Sequence, residues 1–409
     1  MVNKIQPKRV FVIGDESSGK DLIAELNLRG ATLDVYRPTC PFLIEDPGQL
    51  PKVPHDLAER CAEFQPDFIV PSAEHWVTLA DVAAAQFTEH ANNIQLAYAR
   101  RNKAAMIKEL HRRGIRHPFT VEVCSTGQLG TGLARMSYPV VVKPSSSGGS
   151  DMCSICTDSV TAEKAVAQVL GATNLLGEPN LAATVQEYVE GPQLFVNTVS
   201  IDGRHTVTEV FKYAIDEVGG VPTIHAAYTL RETDPDALAA VEYVLPCLDA
   251  LGFRFGASHT EVRITSNGPQ FIEFNGRMMG PCIPSNIYRS VRGHSQATEL
   301  ARMLNTGTTS RDGGGIGWGG DVIGWYMLSA VQPGRLIEFD YSAALDLPEV
   351  LSVERAPTRG TVVELDNRVT TGAMGMVFFT ARGQEHADTV VSTIQDLEQT
   401  RRLFTMAAH

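Results

Sequence analysis

Two carboxylates and an amide stand close together on two short segments with the pattern of paired β-strands. Glu273 and Asn275 are two residues apart, so in a strand their side chains leave the same face. Glu261 lies twelve residues upstream of Glu273 in a second such segment, and a Ser-Asn-Gly-Pro turn between them predicts a hairpin. Oxygen ligands in this number favour Mg²⁺ holding a nucleotide triphosphate, and Arg277 just beyond suits phosphoryl or acyl-phosphate chemistry. A surface hairpin with alternating polar residues is the alternative.

A second group of residues could bind phosphate. Lys143 ends an apolar, strand-like segment and is followed by small residues that include Ser147, Gly148 and Gly149. Backbone N–H groups of such a loop can close over phosphate oxygens without interference from side chains. A flexible turn that follows a surface lysine is the alternative interpretation.

A third segment has the properties of a hinge that holds a nucleobase. Glu187, Tyr188 and Val189 end another strand-like segment about 40 residues after the lysine loop. Such a hinge can offer backbone groups to the edge of an adenine, and a carboxylate to its exocyclic amine.

One glycine-rich segment resembles a phosphate-binding P-loop but does not fit the pattern. Residues 14–21 follow a strand and open a helix, yet Asp21 stands after Lys20 where a P-loop needs serine or threonine. Asp15 and Glu16 would also place negative charge where phosphates should lie. The sequence therefore predicts an ordinary turn between strand and helix.

The order and spacing of these motifs, from Asn102 to Arg277, resemble those of the ATP-grasp superfamily of carboxylate–amine ligases. Within it, the segment before Glu261 is most similar to L-amino-acid ligases that make dipeptides. The resemblance implies that ATP activates a small carboxylate as an acyl phosphate, which an amine attacks to give an amide, ADP and phosphate. It assigns the phosphates to Lys103, Lys143 and the loop with Ser147, Gly148 and Gly149; adenine to Glu187, Tyr188 and Val189; Mg²⁺, or Mn²⁺, to Glu261, Glu273 and Asn275; and the acyl phosphate to Arg277.

One position departs from the family pattern. Many members have a glutamate two residues after the hinge glycine, where it binds the ribose hydroxyls, and this chain has Gln193. A glutamine can still accept a hydrogen bond, and Glu190 is the substitute if it does not.

Candidates to position or deprotonate the amine are Glu74, at the end of a strand, His259 in the hairpin, and His225. His225 follows a Gly-Gly-Val-Pro segment, residues 219–222, which is predicted to be a loop that orders over the substrates. Two alternatives to an amino-acid ligase stay open: an ATP-grasp carboxylase or purine-pathway ligase, and a nucleotide-binding protein without catalysis.

The predicted fold is multi-domain, α/β and α+β. Strands alternating with helices predict a Rossmann-like domain over residues 1–100. Residues 101–310 form the predicted ATP-grasp core of two α+β subdomains, and a glycine-rich segment at 311–320 opens a small α/β lobe over 311–409, closed by a helix at 385–404.

The composition excludes several classes of protein. The chain has 409 residues and a net charge of −12, which argues against a nucleic-acid partner. It contains no apolar run of the roughly 18 residues that a membrane span needs. Seven cysteines, an odd number, are typical of reduced thiols in a cytoplasm, and the spacing of Cys153 and Cys156 is not accompanied by a second metal-binding pair. The partners expected are therefore small molecules, and the resemblance also favours a homodimer.

Overall fold

The structure is a computed structural model, and it describes residues 8–39, 52–149, 151–218, 221–309, 318, 320–330, 332–363 and 373–407. In this part of the chain no helix is both long and apolar enough to cross a membrane.

The N-terminal domain contains a parallel three-stranded sheet in the order β2-β1-β3. Its central strand has the sequence Arg-Val-Phe-Val-Ile and is buried from its second residue onward, as expected for a parallel sheet that helices cover on both faces. The elements are β1 (Arg9–Ile13), α1 (Gly19–Leu28), β2 (Thr32–Tyr36), α2 (His55–Phe64), β3 (Phe68–Pro71) and α3 (Val77–Phe87), with short 3₁₀ helices at Glu74–Trp76, Ile94–Leu96 and Tyr98–Arg100. The predicted Rossmann-like alternation of strands and helices is confirmed.

A small α+β unit follows, with an antiparallel sheet in the order β4-β7-β5-β6. Helix α6 begins with a capping box. The Asp158 carboxylate accepts a hydrogen bond from the backbone N–H of Thr161, and the Thr161 hydroxyl oxygen accepts one from the backbone N–H of Asp158. The elements are α4 (Lys103–Arg112), β4 (Thr120–Val123), a 3₁₀ helix (Thr126–Gln128), α5 (Leu129–Leu133), β5 (Val140–Pro144), β6 (Ser154–Cys156), α6 (Ser159–Val169) and β7 (Ala183–Glu187).

An eight-stranded sheet in the order β12-β11-β8-β9-β10-β13-β17-β15 forms the centre of the molecule. Its described pairings are all antiparallel. The strands are β8 (Gln193–Ile201), β9 (Arg204–Val218), β10 (Val221–Thr229), β11 (Gly256–Thr265), β12 (Gly268–Asn275), β13 (Val322–Ser329), β15 (Val350–Glu354) and β17 (Ala373–Ala381). The predicted hairpin is confirmed as β11 and β12, and its role as the metal site stays a prediction. Strand β10 replaces the loop that the sequence predicted around residue 222.

Three helices accompany this sheet: α7 (Pro235–Ala250), α8 (Ser285–Val291) and α9 (Gln296–Thr306). Side chains of β1 and α1 share one hydrophobic cluster with β8 and α9, including Val12, Leu22, Val199 and Leu300. The N-terminal domain is therefore packed firmly against the large sheet.

One part of the C-terminal segment belongs to the large sheet, and another part forms a small sheet of its own. Its strands β13, β15 and β17 extend the large sheet, and a second, three-stranded sheet is formed by β14 (Gly334–Phe339), β16 (Val362–Val363) and β18 (Phe404–Ala407). Helix α10 spans Ser342–Leu345. Helix α11 spans Gln384–Gln399, so the helix predicted to reach residue 404 is too long. It ends where Arg401 adopts a positive φ of 57° and Phe404 turns into the core. The domain boundaries at residues 100 and 310 stay predictions, and the glycine-rich segment lies almost wholly outside the described residues.

Candidate active site

A cavity of about 210 Å³ lies between the small sheet and one face of the large sheet. Two of the predicted site residues, Glu74 and His225, do not line it. The others do: Lys103, Lys143, Ser147, Gly148, Gly149, Glu187, Tyr188, Val189, Gln193, Glu261, Glu273, Asn275 and Arg277.

The hairpin β11–β12 places the predicted metal ligands side by side. Glu261 is the register partner of Glu273, and His259 is the partner of Asn275. Asn275 is 2% exposed, and its Oδ1 has no hydrogen-bond partner among the described residues. An unpaired buried oxygen beside two carboxylates fits a divalent cation, because Mg²⁺ takes oxygen ligands. The described residues contain no set of three His, Cys, Asp or Glu side chains arranged for a metal, so this set depends on the amide.

Glu261 is surrounded by hydrogen-bond donors. His259 Nε2 lies 3.1 Å and Gln193 Nε2 lies 2.7 Å from its carboxylate oxygens, and the Tyr213 hydroxyl lies 3.4 Å away. Burial alone would raise the pKa of Glu261, but the contacts with His259 and Gln193 and the charge of Arg277 hold it below its usual value. Glu261 is therefore a carboxylate at neutral pH, as a cation ligand must be.

Two buried lysines face this hairpin from the small unit. Lys103 begins α4, and its Nζ lies 2.8 Å from Glu273 Oε1 and donates to the carbonyl of Ser147. Lys143 is 9% exposed and lies at the end of β5. Burial, and next the charge of Lys103, lower the pKa of Lys143, so an anion placed between the two lysines would relieve their repulsion.

Hydrogen bonds from Lys103 and to Asp151 fix the loop after Lys143. Lys103 donates its backbone N–H to the carbonyl of Ser145, and the Ser147 hydroxyl donates to Asp151 at 3.0 Å. Gly149 has φ +68°, a conformation that favours glycine. The small-residue loop is thus fixed above the lysines, with the backbone of Gly148 and Gly149 at the cavity wall.

The hinge lies at the end of β7, and Arg263 braces it. Arg263 Nη1 donates to the carbonyl of Val189 at 2.8 Å and lies 3.1 Å from the Tyr188 hydroxyl. The same guanidinium contacts Gln193 Oε1 at 3.1 Å through Nε. Both polar ends of Gln193 are therefore already paired, one with Arg263 and one with Glu261, and it connects the hinge to the hairpin.

Glu74 lies behind the cavity wall, where it holds two arginines. Its carboxylate oxygens lie 2.6 Å from Arg101 Nη1 and 2.9 Å from Arg277 Nε. Burial would raise the pKa of Glu74, but the charges of Arg101, Arg277 and Lys103 outweigh it and lower the pKa. A carboxylate paired in this way is a poor base, so the geometry corrects the predicted contact with the amine to a contact with Arg277.

The structure does not bring His225 to the site. It lies within β10, not in a loop, and it faces the opposite side of the sheet from Ile224, which lines the cavity. Its neighbours are Asp216, at 3.6 Å from Nδ1, and the ring of Tyr326. The prediction that His225 contacts the substrate was wrong for this reason. The covering loop predicted at 219–222 includes Gly219 and Gly220, which lie outside the described residues.

Neither of the two other motifs noticed in the sequence forms a site. Lys20 of the P-loop-like segment is exposed. The Glu16 carboxylate pairs with His75 and accepts a hydrogen bond from the indole N–H of Trp76. Cys153 lines the cavity while Cys156 is buried in the core of the small unit, so the two thiols do not converge as zinc ligands.

Several residues at the site were not predicted from the sequence. Arg263 could have been, because it continues the alternation of His259 and Glu261 along one face of β11. Arg101 and Tyr213 gave no such signal, because their partners lie far away in the sequence. His259 was considered for the amine, but its two ring nitrogens contact Asn197 and Glu261 at 3.1 Å each, which leaves neither free.

Comparisons with known proteins agree with this geometry. A sequence model of the ATP-grasp domain matches residues 136–285. The chain is 30% identical over 313 residues to the dapdiamide A synthase of Enterobacter agglomerans. This match covers 73% of each of the two chains.

Solved structures share the fold over nearly the whole length. The L-amino acid ligase of Bacillus licheniformis superposes with a TM-score of 0.76 at 19% identity, covering 98% of this chain and 100% of the ligase. The biotin carboxylase domain of Hydrogenobacter thermophilus 2-oxoglutarate carboxylase, solved with MgADP, superposes with a TM-score of 0.63 at 12% identity. The match covers 98% of this chain and 91% of that domain. The chain therefore belongs to the ATP-grasp superfamily and is an ATP-dependent carboxylate–amine ligase.

Proposed function

We propose that the enzyme joins two amino acids, or an amino acid and a related small carboxylate, into a dipeptide-like amide with release of ADP and phosphate. The observation that carries the proposal is the arrangement of Glu261, Glu273 and Asn275 in one cavity with Arg277 and two buried lysines, where Asn275 Oδ1 has no partner among the described residues. The names of the matched proteins, a dapdiamide synthase and an L-amino acid ligase, support amino-acid substrates.

The nucleotide is held between the two sheets. Adenine contacts the hinge at Tyr188 and Val189, and the phosphates extend along the cavity toward Lys103 and Lys143. The Lys103 ammonium lies 2.8 Å from Glu273 Oε1, at the end of the cavity where the phosphates lie. It can also donate charge-assisted hydrogen bonds to phosphate oxygens there.

The residues of the hairpin fit Mg²⁺, because two partly buried carboxylates and an amide oxygen that has no hydrogen-bond partner among the described residues converge there. Glu261, Glu273 and Asn275 would hold the ion. When bound, it supplies positive charge that neutralises the transferring phosphoryl group.

The substrate carboxylate attacks the γ-phosphorus of ATP and becomes an acyl phosphate, with ADP as the leaving group. The lone pair of the amine then adds to the carbonyl carbon, the bond to the phosphate oxygen breaks, and phosphate departs with the proton that the nitrogen loses. Arg277 donates to the oxyanion that develops at this carbon. Removal of one such donor typically lowers turnover about 10²- to 10³-fold. Glu74 fixes the guanidinium of Arg277 through Nε, which makes it a positioning residue.

The activity is tested by measuring ADP release with ATP over a panel of single and paired amino acids and with bicarbonate. Release that requires two amino acids, with a mass-confirmed amide, is the expected result. Release driven by bicarbonate alone would indicate a carboxylase, and nucleotide binding without turnover would indicate a protein that has lost catalysis. Glu273→Gln is the inactive control, because it removes a central metal ligand while keeping the size of the side chain.

A homodimer and a cytoplasmic location are part of the same proposal. They rest on the family resemblance and on the cysteine content. Light scattering of the purified protein distinguishes a monomer from a dimer.

A further inference from the structure

A second cavity lies in the C-terminal part of the chain. Its volume is about 190 Å³, close to the 210 Å³ of the active-site cavity. Residues that follow β13, the end of α11 and strand β18 form its wall, and the two cavities share no lining residue. We call it the C-terminal cavity.

Strand β13 separates the two cavities. Trp325 and Met327 line the active-site cavity, and Tyr326 between them points to the opposite face of the sheet. There the Tyr326 hydroxyl lies 3.3 Å from Glu398, a residue that lines the C-terminal cavity. A ligand in this cavity therefore occupies neither the nucleotide site nor the substrate site.

Glu398 is the buried charged group of the C-terminal cavity. It is 8% exposed, and its carboxylate accepts from the backbone N–H of Ser329 at 2.6 Å and from the Tyr326 hydroxyl. A carboxylate has about four acceptor positions, so about two are open. No cationic side chain pairs with Glu398 in the described part of the chain, and burial raises its pKa to about 7. A cationic nitrogen in the cavity would supply the missing partner.

Arg401 supplies a positive charge to the same cavity. It lies three residues after Glu398, beyond the end of α11, and its backbone has a φ of 57°, which is uncommon for arginine. Its guanidinium makes no hydrogen bond or ion pair with any residue that the structure describes, Glu398 included. The two charges are therefore available to two different groups of one ligand.

The rest of the wall is mostly apolar. Ala330 and Phe404 are 5% and 7% exposed, and Met406 on β18 is half-buried. A hydrocarbon group that packs against these side chains is removed from water, which favours its binding. The cavity thus combines one negative group, one positive group and an apolar surface.

We propose that the C-terminal cavity binds a free α-amino acid with an apolar side chain, at a site separate from the active site. The ammonium group of the ligand pairs with Glu398, its carboxylate accepts from the guanidinium of Arg401, and its side chain packs against Ala330 and Phe404. An amine without a carboxylate would leave Arg401 unpaired, and a carboxylate without an amine would meet the like charge of Glu398. The inference does not depend on the proposed function.

Binding of radiolabelled L-leucine to the full chain, measured by equilibrium dialysis without ATP, tests the proposal. Glu398→Gln and Arg401→Gln should each raise the Kd at this site at least about tenfold, because each removes a charge-assisted contact. The KM for ATP and kcat should stay within about twofold of wild type, since neither residue lines the active-site cavity. Leucinamide and 4-methylpentanoate, which each lack one charged group, should compete at least about tenfold more weakly than leucine.

The binding should also depend on pH. The titratable or charged groups that face Glu398 are Tyr326 from β13 and Arg401 beyond α11, and neither changes its charge between pH 6 and pH 8. With a pKa of about 7, about one tenth of the Glu398 carboxyl groups are ionised at pH 6 and about nine tenths at pH 8. The Kd for leucine should therefore fall about tenfold over this range, and Glu398→Gln should remove that dependence.

Arg402→Gln is the matched control. Arg402 is exposed like its neighbour Arg401 but does not line the cavity, so leucine binding should stay unchanged. If Glu398→Gln does not fold, as judged by its thermal melt, the exposed position of Arg401 keeps the test available. Three results would overturn the proposal: wild-type protein that binds no leucine at millimolar concentration, equal binding by wild type and Arg401→Gln, or equal competition by leucinamide and leucine. An equal loss of binding in Arg402→Gln would do so too, because it would assign the effect to surface charge.

Discussion

Glu74→Gln tests whether a buried carboxylate positions Arg277 for catalysis. Glu74 is 8% exposed, and each of its oxygens faces one guanidinium, Arg101 at 2.6 Å and Arg277 at 2.9 Å. The substitution gives both guanidiniums a neutral amide in place of this carboxylate, and Arg101 keeps Glu178 at 3.6 Å as a charged partner. Breaking a buried ion pair typically costs about 3–5 kcal/mol of stability, and the remaining amide oxygen keeps the loss near the lower value.

The catalytic effect should exceed what instability explains. With its Nε contact weakened, Arg277 no longer holds the oxyanion in place, so kcat should fall about 10²-fold, which is about 2.7 kcal/mol. The KM for ATP should change little, because the described hydrogen bonds and ion pairs of Glu74 are with Arg101 and Arg277, and with neither the lysines nor the hinge. The assay is ADP release at saturating amino acids, at a temperature at which both proteins are folded.

Glu178→Gln is the matched control for this prediction. Glu178 lies 3.6 Å from Arg101 and is also buried, but it makes no described contact with Arg277. Its loss should destabilise the protein with little effect on kcat. A kcat of Glu74→Gln within about threefold of wild type would refute the positioning role, because so small a change is less than about 1 kcal/mol.

Three further predictions concern other residues. Lys143→Ala should abolish turnover or raise the KM for ATP, whereas Lys20→Ala should leave both unchanged because Lys20 is exposed and does not line the cavity. The reverse pattern would mean that the nucleotide binds at the P-loop-like turn. Gln193→Glu should raise the KM for ATP, because it places a second carboxylate where Gln193 Nε2 lies 2.7 Å from Glu261; tighter binding of ATP would show instead that this position contacts the ribose. Burial raises the pKa of Glu398 to about 7, so the folded chain keeps a proton that the unfolded chain loses near pH 4.5, and stability falls as the pH rises through this window. Glu398→Gln should remove that fall from a profile of Tm against pH, and an unchanged profile would show that Glu398 is not its cause.

The local patterns of the sequence were sufficient to predict residues that the structure brings to one cavity, and their binding of nucleotide and metal stays a prediction. The alternation of Glu273 with Asn275 and the small residues after Lys143 act over a few positions, and the structure brings both groups to one cavity. The strand predicted to end at Lys143 is also present, to within one residue, because a buried strand has a strong apolar run.

The substrate side could not be predicted in the same way. Strand β10 begins with Val-Pro after two glycines, which is typical of a loop, and it is a strand because β9 and β13 pair with it on both sides. That pairing turns His225 away from the cavity and Ile224 toward it. Trp325 joins the site from 50 residues beyond Asn275, a distance over which no local pattern operates.

The most direct test of the central claim follows the oxygen of the substrate carboxylate. The enzyme is incubated with ATP, an acceptor amino acid and a donor amino acid labelled with ¹⁸O in its carboxylate, and the phosphate released is analysed by mass spectrometry. Activation as an acyl phosphate predicts one ¹⁸O atom in each phosphate, with ADP and the amide formed in equal amounts. Amide formation with unlabelled phosphate, or with AMP and pyrophosphate as products, would contradict the account.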